Sequence, residues 1–264
     1  MLVIGELLNT SREHIEPLVI SRDKESIKKL AVLQVKAGAN LVDVNAGTLV
    51  EGETEALTWL VKTVQEALEV PLCLDSANPK AIESALKVHK GKALINSISG
   101  EKKRFEEIVP LAKEYQASII ALCMDGRKIP DTPRARFEIG YKLVEELVKN
   151  GIPTADIYLD PLVRPISTGT KLANVVLETL KLIKQSMPEV KVVCGLSNVS
   201  YGLPRRHLIN RTFLAMALEV GLDAAIVDPT DFELMATMYA AEALLDQDAY
   251  CKRYIAAHRD GFLG

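Results

Sequence analysis

The chain has no apolar run approaching the roughly 20 residues needed to cross a bilayer. It has no block of lysine or arginine dense enough to mark a nucleic-acid or membrane surface. No GxGxxG or P-loop pattern occurs, which removes the main support for nucleotide binding. The four cysteines, Cys73, Cys123, Cys194 and Cys251, show neither CxxC spacing nor a cysteine-histidine cluster. That excludes a disulfide framework or a zinc site as the organising feature, and three of the four lie in strand-like apolar runs and read as reduced core residues. Met1 leads straight into Leu2-Val3-Ile4, without the basic region and long apolar stretch of a secretory signal, so a cytoplasmic protein with a small-molecule ligand is expected. No Pro/Gly/Ser-rich linker, low-complexity tract or repeated motif breaks the chain.

What is present is a regular alternation. With 264 residues, 48% of them apolar, and a formal charge of -3, the chain can bury one large core, and a single domain spanning 1–264 is expected. Short apolar segments at 2–5, 41–45, 71–75, 93–96, 118–124, 157–160, 191–196 and 224–228 read as strands. Amphipathic segments separate them, at 24–37, 53–68, 79–89, 101–115, 133–150, 171–185, 206–220 and 231–257. In the first of these, Ile27, Leu30, Ala31, Gln34 and Val35 recur at helical spacing before Gly38 stops the helix. Such β/α units in one uninterrupted α/β domain predict a closed (β/α)8 TIM barrel rather than an open doubly wound sheet.

In such a barrel the carboxyl ends of the strands build the site. Here they deliver Glu6 and Asn9, Asp43 and Asn45, Asp75, Asn96, Asp125, Asp160, Ser197 and Asn198, and Asp228. Any one of these has a ready structural explanation, because aspartate and asparagine cap helices and form turns. The set does not: capping alone would bring in serine, threonine and glycine as often. A ring of buried acceptors calls for a ligand rich in hydrogen-bond donors, such as the 2-aminopyrimidinone edge of a pterin. His14, His89, His207 and His258 fall in helices or at helix starts, so no histidine metal cage or histidine-based triad is expected. No strand ends in the lysine of Schiff-base chemistry, and Asp228-Pro229-Thr230 lacks the glycines of a barrel phosphate site.

These strand ends resemble the pterin-binding barrels and, within them, the methyltetrahydrofolate:corrinoid/iron-sulfur protein methyltransferases. The resemblance runs through Gly5-Glu6 with Asn9, Asp43-Val44-Asn45, Leu74-Asp75-Ser76, Ile95-Asn96-Ser97 and Tyr158-Leu159-Asp160-Pro161. It continues in Gly195-Leu196-Ser197-Asn198-Val199-Ser200 and Leu208-Ile209-Asn210-Arg211-Thr212-Phe213. Cobalamin-dependent methionine synthase carries a similar Ser-Asn-Val-Ser element in its folate module.

The resemblance implies that Asp75, Asn96 and Asp160 grip the pyrimidine donors, while Asn198 approaches the methyl-bearing N5 as the catalytic residue. It also implies that Glu6, Asn9, Asp43, Gly195, Ser197 and Arg206 help to form the folate pocket, with Met124 and Ile226 against the pterin ring. Arg164 or Arg127 joins Arg206 at the glutamate tail or the corrinoid partner. Asp43 and Asp228 either order water near the pterin or brace neighbouring loops. No metal of the chain's own is implied. The barrel uses all the residues, so the corrinoid arrives on a partner protein, and the family suggests a homodimer. Dihydropteroate synthase shares the fold, yet Thr10-Ser11-Arg12-Glu13-His14 lacks the Pro-Asp-Ser-Phe-Ser type of loop and strand eight lacks the Arg-x-His pattern of those enzymes. A folate-binding subunit without catalysis is the remaining alternative.

Overall fold

A computed structural model describes residues 1–126 and 128–263. Eight parallel strands close into a barrel in chain order. They are β1 (Leu2–Asn9), β2 (Leu41–Asn45), β3 (Leu72–Asp75), β4 (Leu94–Ile98), β5 (Ser118–Leu122), β6 (Ile157–Asp160), β7 (Lys191–Gly195) and β8 (Ala224–Val227). The ring closes where Leu2, Val3, Ile4 and Gly5 of β1 pair with Ala224, Ala225, Ile226 and Val227 of β8.

Outside lie α1 (Glu16–Ile20), α2 (Lys24–Lys36), α3 (Glu53–Ala67), α4 (Pro79–Leu86), α5 (Lys102–Glu114), α6 (Pro133–Lys149), α7 (Leu172–Ser186), α8 (Arg206–Glu219), α9 (Phe232–Leu244) and α10 (Lys252–Arg259). Local chemistry sets their starts. Asp23 accepts from Ser26 N at 3.1 Å, Thr132 from Ala135 N at 3.3 Å and Asp231 from Leu234 N at 3.1 Å, each satisfying an N–H that the helix leaves without a partner. Pro79 and Pro133 follow their caps, where a missing N–H costs nothing. Gly38 (φ +106°) turns the chain out of α2 in a region that side chains rarely adopt.

Several elements differ from the sequence reading. The expected helix 231–257 is broken: α9 ends at Leu244, a 3₁₀ turn spans Ala249–Cys251, and α10 follows. The cause is Asp248, whose buried carboxylate accepts from Arg253 N (3.0 Å) and Tyr254 N (2.9 Å), starting a new helix. The short α1, with Pro17 in its first turn and Val19 buried, was not anticipated. The helix expected over 79–89 stops at Leu86, and His89 lies beyond it, accepting from Leu72 N at 3.1 Å. His14 is likewise in a turn rather than a helix. Cys73, Cys123 and Cys194 are buried, as expected, and Cys251 is exposed.

The core has two parts. The larger lies between the outer faces of the strands and the helices, around Val3, Val42, Leu74, Ile95, Ile119, Leu159, Val192 and Ala225. The smaller plugs the barrel with one residue from every strand: Ile4, Leu41, Cys73, Leu94, Ile120, Tyr158, Val193 and Ala224. A packed plug of this kind makes the barrel a closed floor rather than a pore.

Candidate active site

The plug determines the site. Strand side chains alternate, so the residue two positions beyond each plug residue faces the same interior one level higher. That level is Glu6, Asp43, Asp75, Asn96, Leu122, Asp160, Gly195 and Ile226. Seven of these are residues singled out from sequence, and the eighth, Leu122, was missed because β5 was read as continuing to Met124. Met124 instead lies past the strand, lining a cleft of about 310 Å³ with Asp75, Asn96 and Arg104. A second cleft, of about 840 Å³, opens over β1, β7 and β8 and is lined by Glu6, Ser197, Arg206, Asn210 and Asp228 among others.

Burial shapes the acidity of this layer. Asp43 is buried at 2% exposure, and Oδ1 has no hydrogen-bond partner among the described residues. Burial, reinforced by the charge of Asp75, raises its pKa well above the usual carboxylate range, with Cys73 and Asn96 acting in the opposite sense. Asp75 is also raised by burial, against the effect of Asn45 Nδ2, which donates to it at 2.8 Å, and of Arg104. Asp160 is pushed up to about 6 by burial, opposed by the Leu162 N–H (2.7 Å) and by Arg136. Near neutral pH Asp160 is mostly ionised and suited to receive donors.

The other side of the mouth is tied together by Glu6. It accepts from Arg12 at 2.6 Å and from Ser197 Oγ at 3.0 Å. Ser197 and Asn198 sit in a 3₁₀ turn, Leu196–Ser200, directly after β7. Arg206 braces that turn, donating to Ser197 O (2.8 Å) and Ser200 Oγ (3.0 Å). Asn198 is exposed, and its carboxamide makes no hydrogen bond among the described residues. Asp228 accepts from Thr230 N and Oγ1, so it braces its own turn while lining the larger cleft.

Not every expected residue points inward. Asn9 Oδ1 accepts from Ser11 N at 2.9 Å and shapes the turn after β1. Arg164 pairs with Asp131 at 2.9 Å, outside both clefts. Arg127 lies outside the described residues. Sequence reasoning missed Arg104, whose guanidinium donates to Ser76 O, Ala77 O and Ser97 O at 2.6–2.9 Å, and so holds the loops after β3 and β4. A signal existed: Arg104 sits with Lys102 and Lys103 in the first turn of α5, where the helix dipole disfavours cations. Arg136 was missed too, although it falls on the buried stripe of α6 with Phe137, Gly140, Leu143 and Leu147.

A closed parallel barrel whose mouth carries carboxylates and carboxamides at its strand ends matches the model of the family described as pterin binding enzyme over residues 5–228. The chain belongs to that family. It is 35% identical, over its full length and 98% of the relative, to the methylcorrinoid:tetrahydrofolate methyltransferase of Eubacterium limosum. It is also 28% identical, over 86% of its length, to the methionine synthase of Mycobacterium tuberculosis, of which it covers 20%. Among solved structures, the dihydropteroate synthase of Yersinia pestis superposes with a TM-score of 0.73 at 17% identity, covering 93% of this chain and 94% of that one. The synthase of Thermus thermophilus superposes at 0.67 with 22% identity, covering 94% and 93%. These last two speak for the fold alone.

Proposed function

We propose that this protein is a methyltransferase that exchanges a methyl group between N5 of tetrahydrofolate and the cobalt of a corrinoid held by a partner protein. The observation that carries the reading is the exposed Asn198 carboxamide, free of protein hydrogen bonds among the described residues, standing beside a level of buried acceptors. Full-length similarity to a methylcorrinoid:tetrahydrofolate methyltransferase supports it. Asp75, Asn96 and Asp160 take the donors of the pterin's pyrimidine edge, with Asp43, its pKa raised by burial, beside them in the same level. Glu6, Ser197 and Arg206 fix the turn that carries Asn198, while Gly195 leaves room for the ring and Ile226 packs against it.

The chemistry explains the amide. A tertiary amine leaves poorly until positive charge or a proton is placed on N5. A side chain that both donates and accepts can follow that change, stabilising the transition state more than the ground state. The corrinoid supplies the cobalt(I) that accepts the methyl group, and the barrel's own contribution is alignment. Residues 1–264 act as one pterin-binding barrel, which we place in the cytoplasm as a homodimer. Among the described residues no helix is long and apolar enough to cross a membrane.

The test is substrate choice. The protein is incubated anaerobically with methyltetrahydrofolate and reduced corrinoid, and separately with a hydroxymethyl-dihydropterin diphosphate and p-aminobenzoate. Demethylation of the folate that requires both protein and corrinoid supports the proposal. Formation of dihydropteroate in the second mixture instead would replace it.

A further inference from the structure

The loop after β6 is held by a buried cation. Arg136 lies at 0% exposure on α6, yet among the described residues no carboxylate pairs with it directly. Its Nε donates to Pro130 O at 2.8 Å, and one terminal nitrogen donates to Pro161 O (2.6 Å) and Leu162 O (2.7 Å). The other terminal nitrogen is buried without a hydrogen-bond partner among the described residues. A guanidinium removed from water and spent on backbone carbonyls is costly, because hydrophobic side chains would fill the same volume at less expense.

The turn it grips is itself unfavourable. Leu162 has φ +66°, a left-handed conformation that a branched side chain adopts only when its surroundings enforce it. The Leu162 peptide links both partners: its carbonyl accepts from Arg136, and its N–H donates to Asp160 Oδ1 at 2.7 Å. Resting on the folate reading above, we propose that Arg136 is a positioning residue, holding the turn after β6 so that Asp160 presents its free carboxylate oxygen to the pterin donors.

Electrostatics give this role a signature. Asp160 is faced by Arg136 from α6, by Cys123 from the end of β5 and by Cys194 from β7. Both thiols are raised by burial and then by Asp160, so they stay neutral, and Arg136 is the cation opposing the burial of Asp160. Arg164 and Asp131 face Arg136 from its other side, with opposite charges.

The experiment is the pH dependence of methyltetrahydrofolate affinity by calorimetry, with a carboxyl-carbon NMR titration of Asp160 in the ligand-free protein, for wild type, Arg136→Met and Arg136→Lys. In Arg136→Met the Asp160 midpoint rises by roughly one pH unit and affinity near neutrality falls about tenfold. In Arg136→Lys, one ammonium cannot serve three carbonyls with a guanidinium's geometry, so affinity falls at least about fivefold even at alkaline pH. A fall in melting temperature in either variant, with affinity and midpoint unchanged, would overturn the proposal. Should Arg136→Met not fold, Arg136→Lys decides it. If wild type binds no folate, the functional reading fails, and the ligand-free titration still decides the role of Arg136.

Discussion

Asn198 packs against Gly195 so closely that a side-chain carbon at the glycine would lie 3.0 Å from the amide nitrogen. The last residue of β7 thus leaves the space in which the proposed catalytic amide rests. Gly195→Ala pushes that amide aside by a few tenths of an ångström or more. Expected is a 10- to 100-fold loss of kcat at nearly unchanged melting temperature, because small misplacements at a reacting centre cost on the order of 10²-fold. Stopped-flow methyl transfer and a thermal melt check this, and an unchanged kcat would show that Asn198 is not held by this contact.

Asp160 predicts a trade between stability and binding. Its folded pKa of about 6 lies above its ordinary value of 3.8, so the folded protein holds the proton more tightly than the unfolded chain. Its stability contribution is complete below about pH 4 and is lost as pH rises through about 6, a penalty on the order of 3 kcal/mol. Asp160→Asn keeps an acceptor for Leu162 N and removes the buried charge. Its melting temperature should exceed wild type by several degrees at pH 8 and match it at pH 4, while folate affinity drops more than tenfold. Identical melting curves at pH 8 would contradict the assignment of a buried charge.

On the proposed folate reading, the ionised Asp160 is the form that receives the pterin donors in wild type. Affinity for methyltetrahydrofolate should be flat from about pH 7 to 8 and weaken roughly tenfold per unit below about 6. Calorimetric titrations across that range supply the test, and affinity that stays constant down to pH 5 would remove Asp160 from the pterin contacts.

Arg104 predicts a different pattern. Arg104→Ala frees the carbonyls of Ser76, Ala77 and Ser97 and removes the cation opposing the raised pKa of Asp75. Stability should fall by roughly 2 kcal/mol, and KM for folate should rise about tenfold with a smaller change in kcat. Denaturant melts and steady-state kinetics measure both. An unchanged KM would mean that the loops after β3 and β4 hold Asp75 and Asn96 without it.

The barrel was legible because strand and helix periods alternate cleanly, and because the inward positions of five strands change to a polar residue at one step, as from Cys73 to Asp75 and from Leu94 to Asn96. That step needs no partner elsewhere in the chain to be seen. Asp248 hid the break between α9 and α10, since a buried aspartate gathering later N–H groups looks, in sequence, like one polar residue in a helix. Arg104 and Arg136 were hidden for a related reason: their value lies in carbonyls 7 to 28 and 6 to 26 residues away. The turn that Asn9 shapes and the Asp131 partner of Arg164 were not legible, because motif position does not reveal which way a side chain turns.

The most direct test of methyl transfer is loss of cobalt(I) absorbance when the protein is mixed anaerobically with methyltetrahydrofolate and free reduced cobalamin, beside Asn198→Ala. The account predicts rapid loss with wild type and a rate at least about 10²-fold lower with the variant, corresponding to roughly 3 kcal/mol of transition-state stabilisation. Equal rates for the two proteins would contradict the role given to Asn198. No loss with either, despite measured folate binding and a supplied corrinoid protein, would contradict the methyltransferase assignment itself.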